Sequence, residues 1–368
     1  STLDRSSAAS DVYKRQVSVA GEKKSFKRKN LLYINDKDMT FTESATEYGL
    51  DFTDYSTHAA VLDYDLDGDL DMYLLNHSNQ FKNVNDPIVR KFDGSAVNMD
   101  RLLRCDWFDS LDHPIYVDVS KQAKITVEGF GLGIGVADFN IDGWPDLYIS
   151  NDFISNDILY INQGDGTFVN EINRILSHQS FNSMGNDLAD FNNDGLDDIS
   201  IPTNNDNSLI FFQNNGTKLI PQNFNIDLPG QIKQVLWIDY DNDNDKDLHV
   251  TSFQGKNKLY NNNGYFYFTD VTSALNLPDS ISNSFGASWA DINNDGYTDV
   301  IISGNMYNSE VGTPRNDGSV GVYLKYTPDL GFEAVSTQKS GLFINGDVKD
   351  LSLIHISEPT RPRLISYA

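Results

Sequence analysis

The sequence predicts an all-β fold, a β-propeller built of four-stranded blades. A nine-residue acidic pattern recurs five times, at steps of 75, 52, 49 and 52 residues. Short apolar or β-branched stretches flank every copy, as expected for strands, and turns rich in Gly and Asn separate further such stretches. A fixed period of about fifty residues indicates a repeat architecture, and four strands per period are typical of a propeller blade.

Both ends of the chain are predicted to lie outside this fold. Residues 1–16 contain SSAASDVYKRQ, and residues 351–368 contain LSLIHISEPTR. Both stretches resemble translated transposase adapters from sequencing libraries, and the two underlying adapter sequences are reverse complements. We therefore interpret the two segments as artefactual and expect residues 17–350 to be a propeller fragment of a longer protein.

Composition and charge exclude several classes of protein. The chain is long enough for a sizeable core, and no apolar run approaches the roughly 20 residues of a membrane span. A single cysteine, Cys105, excludes a disulfide framework. The net charge of −25 argues against nucleic acid, which is bound through Lys and Arg. The basic run at 23–29 is interpreted as a solvated loop.

The acidic pattern is Asp, x, Asp or Asn, x, Asp, Gly or Asn, x, x, Asp. Its first copy lies within VLDYDLDGDLDMYLL and its second within ADFNIDGWPDLYI. Oxygen ligands on a short, tight loop suit a hard cation, Ca²⁺ before Mg²⁺, and do not suit zinc. Positions 1, 3, 5 and 9 offer side-chain oxygens, and position 7 can offer its backbone carbonyl. The pattern therefore predicts about five calcium ions, one in each loop.

The predicted metal ligands fall into five sets. They are Asp63, Asp65, Asp67, Asp69 and Asp71; Asp138, Asn140, Asp142, Trp144 and Asp146; Asp190, Asn192, Asp194, Leu196 and Asp198; Asp239, Asp241, Asp243, Asp245 and Asp247; and Asp291, Asn293, Asp295, Tyr297 and Asp299. Asp69 is expected to contribute its carbonyl and to leave its side chain in solvent. Position 6 must turn sharply, so its glycines, and Asn244 in the fourth loop, are expected at positive φ.

Two other interpretations of the pattern are weaker. An EF-hand needs a bidentate Glu at position 12, whereas the five residues there are apolar: Leu74, Ile149, Ile201, Val250 and Ile302. A metal-free turn needs only one or two Asp, Asn or Gly residues, whereas all five copies keep positions 1, 3, 5 and 9.

A third and a fourth strand are expected downstream of the loops. Recurring stretches such as NLLYIN, NDILYINQGDGTF and NKLYNNNGYFYF carry the third strand and the turn after it, and TFVNE or YFTDV the fourth. Their aromatic residues are expected to form the core between blades rather than a binding surface. The repeat resembles the FG-GAP/VCBS type found in integrin α propellers and bacterial surface proteins.

Four longer segments resemble the cartilage-acidic-protein group: FTESATEYGL, GLGIGVADFNIDGWPDLYISND, SMGNDLADFNNDGLDDI and SGLFINGDVKD. The resemblance covers most of 40–350 and implies a propeller of seven blades, of which this chain would hold a part. It also implies an extracellular, cell-surface or periplasmic location.

One insertion separates the first two acidic loops, HSNQFKNVNDPIVRKFDGSAVNMDRLLR at 77–104. It mixes apolar residues such as Phe81 and Phe92 with basic ones such as Lys82 and Arg90. Long loops in compact domains are often functional. Two interpretations stay open, a ligand-binding loop and a lid over a neighbouring blade.

The predicted function is that of a monomeric calcium-binding module for an unidentified protein or glycan at the cell surface. No catalytic residue is assigned, because the five histidines of residues 17–350 (His58, His77, His113, His178 and His249) are scattered and no nucleophile motif is present. The alternative is a propeller-fold hydrolase or lyase acting on extracellular polysaccharide, since a fold alone does not determine function.

Overall fold

The structure is a computed structural model that describes residues 12–16, 29–35, 41–77, 90–96, 99–108, 110–152, 155–176, 182–203, 209–224, 226–252, 255–264, 267–277, 284, 286–293, 295–303 and 321–342. The basic residues at 23–28, half of the insertion including Phe81 and Lys82, and His178 lie outside these ranges.

The chain divides into two compact units, each built of three antiparallel sheets. The first comprises Ser1–Ser183 with Gly216–Lys218, and the second Met184–Asn215 with Leu219–Ala368. In the first unit a three-stranded sheet contains β1 (Val12–Gln16), β2 (Leu31–Asn35) and β3 (Phe41–Glu43). The strand β1 lies within residues 1–16, which we interpret as adapter-derived from the sequence, and its backbone pairs with β2.

Two four-stranded sheets complete the first unit. One contains β4 (Ser56–Leu62), β5 (Asp71–Asn76), β6 (Arg101–Asp106) and β7 (Ile115–Asp118). The other contains β8 (Gly131–Ala137), β9 (Asp146–Asn151), β10 (Ile158–Asn162) and β11 (Phe168–Asn170).

The second unit holds three four-stranded sheets. They are β12 (Asp187–Ala189), β13 (Asp198–Pro202), β14 (Leu209–Asn214) and β15 (Leu219–Gln222); β16 (Ile232–Ile238), β17 (Asp247–Ser252), β18 (Lys258–Asn262) and β19 (Phe268–Asp270); and β20 (Gly286–Ala290), β21 (Asp299–Ser303), β22 (Val322–Thr327) and β23 (Gly331–Val335).

Every four-stranded sheet is a meander in which sequential strands are neighbours, the order expected of a propeller blade. We refer to these sheets as blades 1 to 5 in chain order. Each acidic loop joins the first and second strands of its blade, as the sequence predicts. First strands of adjacent blades also pack together within each unit: β4 contacts β8, and β16 contacts both β12 and β20. The all-β propeller prediction is confirmed.

The second strand of each blade lies deepest. All six residues of β5, β9 and β17 are buried, whereas the fourth strands β7 and β11 have exposed residues. Strands covered on both faces are continuous apolar runs, which explains sequences such as DMYLL and DLYIS. The apolar residues that follow each loop are thus the residues that anchor it.

The core lies between blades, as predicted for the aromatic residues. In the first unit one cluster joins Tyr73 and Leu102 of blade 1 to Tyr160 and Phe168 of blade 2. In the second unit Phe211 of blade 3 and Tyr260 of blade 4 share a cluster. Aromatic side chains bury large areas, so they dominate the stability of such an interface.

The sequence predicts no helix, and the described residues contain two single turns of helix. They are α1 (Ile172–Ile175), which buries both isoleucines, and α2 (Thr337–Ser340). One turn is too short to produce a detectable apolar periodicity. Within the described residues no helix has the length and apolarity needed to cross a membrane.

Candidate metal centres

Position 1 of each acidic loop closes the loop on itself. In the first loop Asp63 accepts hydrogen bonds from the backbone N–H groups of Asp67 and Gly68, both at 3.1 Å. The equivalent bonds to Asp138 are 3.1 and 2.7 Å, and those to Asp190 are 3.0 and 2.7 Å. The carboxylate therefore bridges two successive amides and defines the tight turn.

The side chain at position 5 closes a second turn within the loop. Its carboxylate accepts the backbone N–H of position 7 in every loop, for example Asp142 from Trp144 at 2.9 Å and Asp243 from Asp245 at 2.9 Å. All five side chains at position 5 are exposed. These two closures are Asx-type turns, which short Asp and Asn side chains form readily.

Position 9 is the first residue of the second strand, and it ties the loop to the blade. One oxygen of Asp146 accepts the N–H of Phe139 at 3.0 Å, and the other accepts the N–H of Asn162, in the third strand, at 2.8 Å. The same pair of bonds occurs at Asp71, Asp198, Asp247 and Asp299. Position 9 is therefore an architectural residue as well as a predicted ligand.

The carboxylates at position 9 are strongly perturbed. Burial raises the pKa of Asp71, Asp146 and Asp247 to about 7 and that of Asp198 to about 8, against the opposing effect of the backbone N–H groups. Burial likewise raises the pKa of Asp299. Neighbouring carboxylates of the same loop add to the rise, so negative charge is disfavoured in these loops unless a cation offsets it.

Position 3 divides the five loops into two kinds. In the first loop Asp63, Asp65 and Asp71 each place a carboxylate oxygen within 4.8 Å of the others, and so do Asp239, Asp241 and Asp247 in the fourth. Either cluster could hold a metal ion. One oxygen each of Asp65, Asp239 and Asp241 is buried with no hydrogen-bond partner among the described residues. A buried oxygen without a donor is expected where a cation supplies the missing interaction.

The other three loops carry Asn at position 3. The side-chain amides of Asn192 and Asn293 donate to the position-9 carboxylates Asp198 and Asp299, at 3.1 and 3.0 Å. In the second loop the Asn140 amide donates to Asp142 at 2.8 Å. In these three loops the position-3 amide thus donates to a carboxylate and offsets part of its negative charge. The first and fourth loops have Asp at position 3 instead, which adds a negative charge.

Two positions of the loop adopt left-handed backbone. Asn244 has φ of 73°, so the prediction for position 6 of the fourth loop is confirmed. The sequence did not predict the same conformation at position 4, where Leu66, Ile141 and Asn242 have φ of 54°, 61° and 63°. Left-handed backbone is rare for a branched residue such as Ile141, so the closed loop imposes it.

The expectation that the Asp69 side chain lies in solvent is wrong. Asp69 is only 8 % exposed, and it lines one pocket together with Cys105, Trp107 and Phe108. Cys105 lies in β6, and Trp107 and Phe108 lie in the turn that follows it, so the loop pattern alone does not reveal these residues.

The described part of the insertion packs on the next blade. The N–H of Lys91 donates to the Glu128 carboxylate, and the N–H of Glu128 to the Lys91 carbonyl, both at 2.9 Å. Arg90 donates to the Asn156 carbonyl at 3.3 Å. These contacts agree with the lid interpretation for 90–96, and residues 101–104 lie in β6.

The described histidines form no cluster. His58 is exposed, His77 stacks edge-on against Phe130, and His113 stacks on Tyr48. His249 is fully buried, which lowers its pKa to about 3.

Comparison with known families assigns the central repeats. The family model for the FG-GAP-like repeat matches residues 138–201, 190–250 and 239–302. These three windows overlap, and each runs from one acidic loop to the strand that follows the next acidic loop. Cartilage acidic protein 1 from Xenopus tropicalis is 24 % identical over 262 residues, covering 66 % of this chain. The chain spans 38 % of the length of that relative.

Two solved structures are also similar to this chain. The biofilm matrix protein Bap1 of V. cholerae matches with a TM-score of 0.43 and 16 % identity, covering 76 % of this chain and 39 % of Bap1. The exotype rhamnogalacturonan lyase YesX matches with a TM-score of 0.38 and 12 % identity, covering 84 % and 59 %. Residues 138–302 therefore contain FG-GAP-like repeats, the described four-stranded sheets have the strand order of propeller blades, and the chain resembles cartilage acidic protein 1.

Proposed function

We propose that the acidic loops bind calcium and that the propeller is a calcium-stabilised binding module acting outside the cell. The observation that carries the proposal is that three carboxylates converge in the first loop and another three in the fourth. Each of these two loops contains at least one buried carboxylate oxygen that has no hydrogen-bond donor among the described residues. A hard divalent cation with several oxygen ligands matches that donor set.

Calcium would act on stability rather than on chemistry. Side chains at positions 1, 3, 5 and 9 would hold the ion, with the carbonyl of position 7 completing the set. Bound calcium would offset the mutual repulsion of the carboxylates and favour their ionised form. Five ions would reduce the net charge from −25 to about −15 by simple addition.

An extracellular location is supported by the resemblance to a cartilage protein. Free calcium is millimolar outside cells, which is the range in which exposed loops of extracellular modules bind it. The proposed ligand of the module is a protein at the cell surface or in an extracellular matrix.

The calcium proposal is tested by thermal unfolding. Calcium should raise the melting temperature of the chain after chelator treatment, and magnesium at the same concentration should raise it less, because magnesium demands a tighter octahedral site. A melting temperature that does not respond to calcium would overturn the proposal.

The charge at position 3 should set the affinity of each loop. Asp65→Asn should weaken calcium binding at the first loop about tenfold, and Asn140→Asp should strengthen it at the second, because affinity follows ligand charge. Calorimetric titration of the two variants measures both effects. Equal affinities of each variant and the parent chain would contradict the assignment of position 3 as a ligand.

The left-handed backbone at Asn244 gives a second test. Asn244→Gly should leave calcium affinity at the fourth loop unchanged or slightly raised, because glycine accepts positive φ freely. Asn244→Val should remove most of that affinity, since a β-branched residue resists this conformation. Calorimetry on the pair decides, and matching affinities would show that the turn does not control the site.

A further inference from the structure

A buried asparagine joins the first acidic loop to the second. Asn162 is the last residue of β10 and is only 1 % exposed. Its side-chain amide donates to the Tyr64 carbonyl at 2.8 Å and to the Pro145 carbonyl at 3.3 Å. Tyr64 is position 2 of the first loop, and Pro145 is position 8 of the second. The donors of one amide are therefore divided between two loops.

The asparagine also lies on a continuous path between two predicted metal ligands. The N–H of Tyr64 donates to Asp71, at position 9 of the first loop, at 3.1 Å. The N–H of Asn162 donates to Asp146, at position 9 of the second loop, at 2.8 Å. With the bond between Asn162 and Tyr64, three successive hydrogen bonds connect the two carboxylates.

The same path occurs in the second unit. The N–H of Phe191 donates to Asp198 in the third loop at 3.3 Å, and the Phe191 carbonyl accepts the Asn262 amide at 3.0 Å. The N–H of Asn262 completes the path to Asp247 in the fourth loop at 2.8 Å. Asn262 is the last residue of β18 and is also 1 % exposed. It therefore joins the third loop to the fourth as Asn162 joins the first to the second.

Burial makes these bonds costly to break. Water can replace the acceptor of an exposed amide, whereas a buried N–H that loses its acceptor keeps the full cost of desolvation. The link between the fourth and fifth loops is of the exposed kind, because the Asn242 amide donates to the Gly296 carbonyl at 2.7 Å at the surface. Loosening of the first loop would strand an N–H of Asn162, so the state of one loop affects the residue that orients the next.

We propose that Asn162 and Asn262 couple calcium binding between adjacent loops, so that an ion in one loop raises the affinity of its neighbour. The inference rests on the proposed binding of calcium and adds its regulation. An ion that offsets carboxylate repulsion in the first loop would keep Tyr64 in place, and Tyr64 holds the Asn162 amide. The N–H of Asn162 would then hold Asp146, so that the second loop is organised before its own ion binds.

Charge alone predicts the opposite effect. Cations in neighbouring loops repel each other. The first loop with its ion is formally less negative than an Asp65→Ala loop without an ion. If only charge acted, the loss of the first ion would therefore strengthen calcium binding in the second loop. Coupling through Asn162 predicts weaker binding, so the sign of the change separates the two explanations.

The test measures each loop of the full chain separately. The N–H of the position-6 glycine donates to the position-1 carboxylate in the first, second and fifth loops. Assigned amide NMR signals of Gly68, Gly143 and Gly296, followed during a calcium titration, therefore report the affinity of these three loops.

Two variants that each remove the ion of one loop give the size of the coupling. Asp65→Ala should abolish binding at the first loop and weaken calcium binding at Gly143 about fivefold, the lower end of ordinary couplings between sites. Asp142→Ala should abolish binding at the second loop and weaken it at Gly68 by a similar factor, because coupling between two sites is reciprocal.

Asn162→Ala should remove this dependence. In that background, Asp65→Ala should leave calcium binding at Gly143 unchanged. The matched control is Gln163→Ala, which should keep the fivefold effect, because Gln163 is exposed and its amide donates to the carbonyl of Ile161 in its own blade at 3.0 Å. If Asn162→Ala does not fold, the reciprocal losses in the two single-loop variants still decide.

Unchanged or stronger calcium binding at Gly143 in Asp65→Ala would overturn the inference. Equal losses at Gly143 and Gly296 would also overturn it, because Gly296 lies in the fifth loop and has no place on the path through Asn162. Both results would leave the proposed function intact. Absence of any calcium response at the three glycines would overturn the proposed function together with the inference, so the two failures can be told apart.

Discussion

Removal of calcium is expected to lower the free energy of unfolding by about 5–7 kcal/mol in total. For exposed loops with dissociation constants of about 0.2 mM, millimolar calcium contributes roughly 1–1.5 kcal/mol per site, and the sum runs over five loops. That sum is comparable with the whole stability of a typical domain. The loops anchor the second strand of every blade, so their loosening should affect each blade.

Urea unfolding in calcium, in chelator, and in chelator followed by excess calcium measures this effect. The last condition should restore the original midpoint. A difference below about 1 kcal/mol between calcium and chelator would mean that fewer than two such loops hold an ion. Asp65→Ala should remove part of the calcium-dependent difference while changing stability in chelator much less.

Asp146→Ala is expected to destabilise the chain by about 3–5 kcal/mol, and to do so even in chelator. Asp146 is 0 % exposed and accepts the N–H groups of Phe139 and Asn162. Truncation would leave two buried donors without an acceptor. Asp146→Asn should be milder, because one oxygen remains to accept one of the two bonds.

Asp142→Ala is the matched control within the same loop. Asp142 is exposed and accepts the N–H of Trp144, a bond that water can replace. In chelator its removal should cost less than about 1 kcal/mol. If urea unfolding in chelator gave similar losses for Asp142→Ala and Asp146→Ala, position 9 would not have the architectural role described above.

The placement of the loops could be predicted from sequence because it is repeated. Five copies of one pattern with apolar flanks specify that each loop joins two strands, and the requirement for positive φ at Asn244 follows from its alignment with four glycines. Both the placement of the loops and the turn at Asn244 depend on residues close together in the sequence, and the five copies can be compared with one another.

Other features depend on contacts that sequence spacing does not encode. The second bond of Asp146 comes from Asn162, sixteen residues away in the third strand. Asp69 lines a pocket with Trp107 and Phe108, which lie in a turn whose length is not repeated in the other described blades. The orientation of the Asn192 amide toward Asp198 likewise required coordinates.

Equilibrium dialysis of the chain against radioactive calcium tests the central claim most directly, because it counts bound ions without relying on stability. The account predicts saturable binding of about five ions per chain with dissociation constants at or below the millimolar range. The first and fourth loops should fill before the others. Absence of saturable binding across that range would contradict the account.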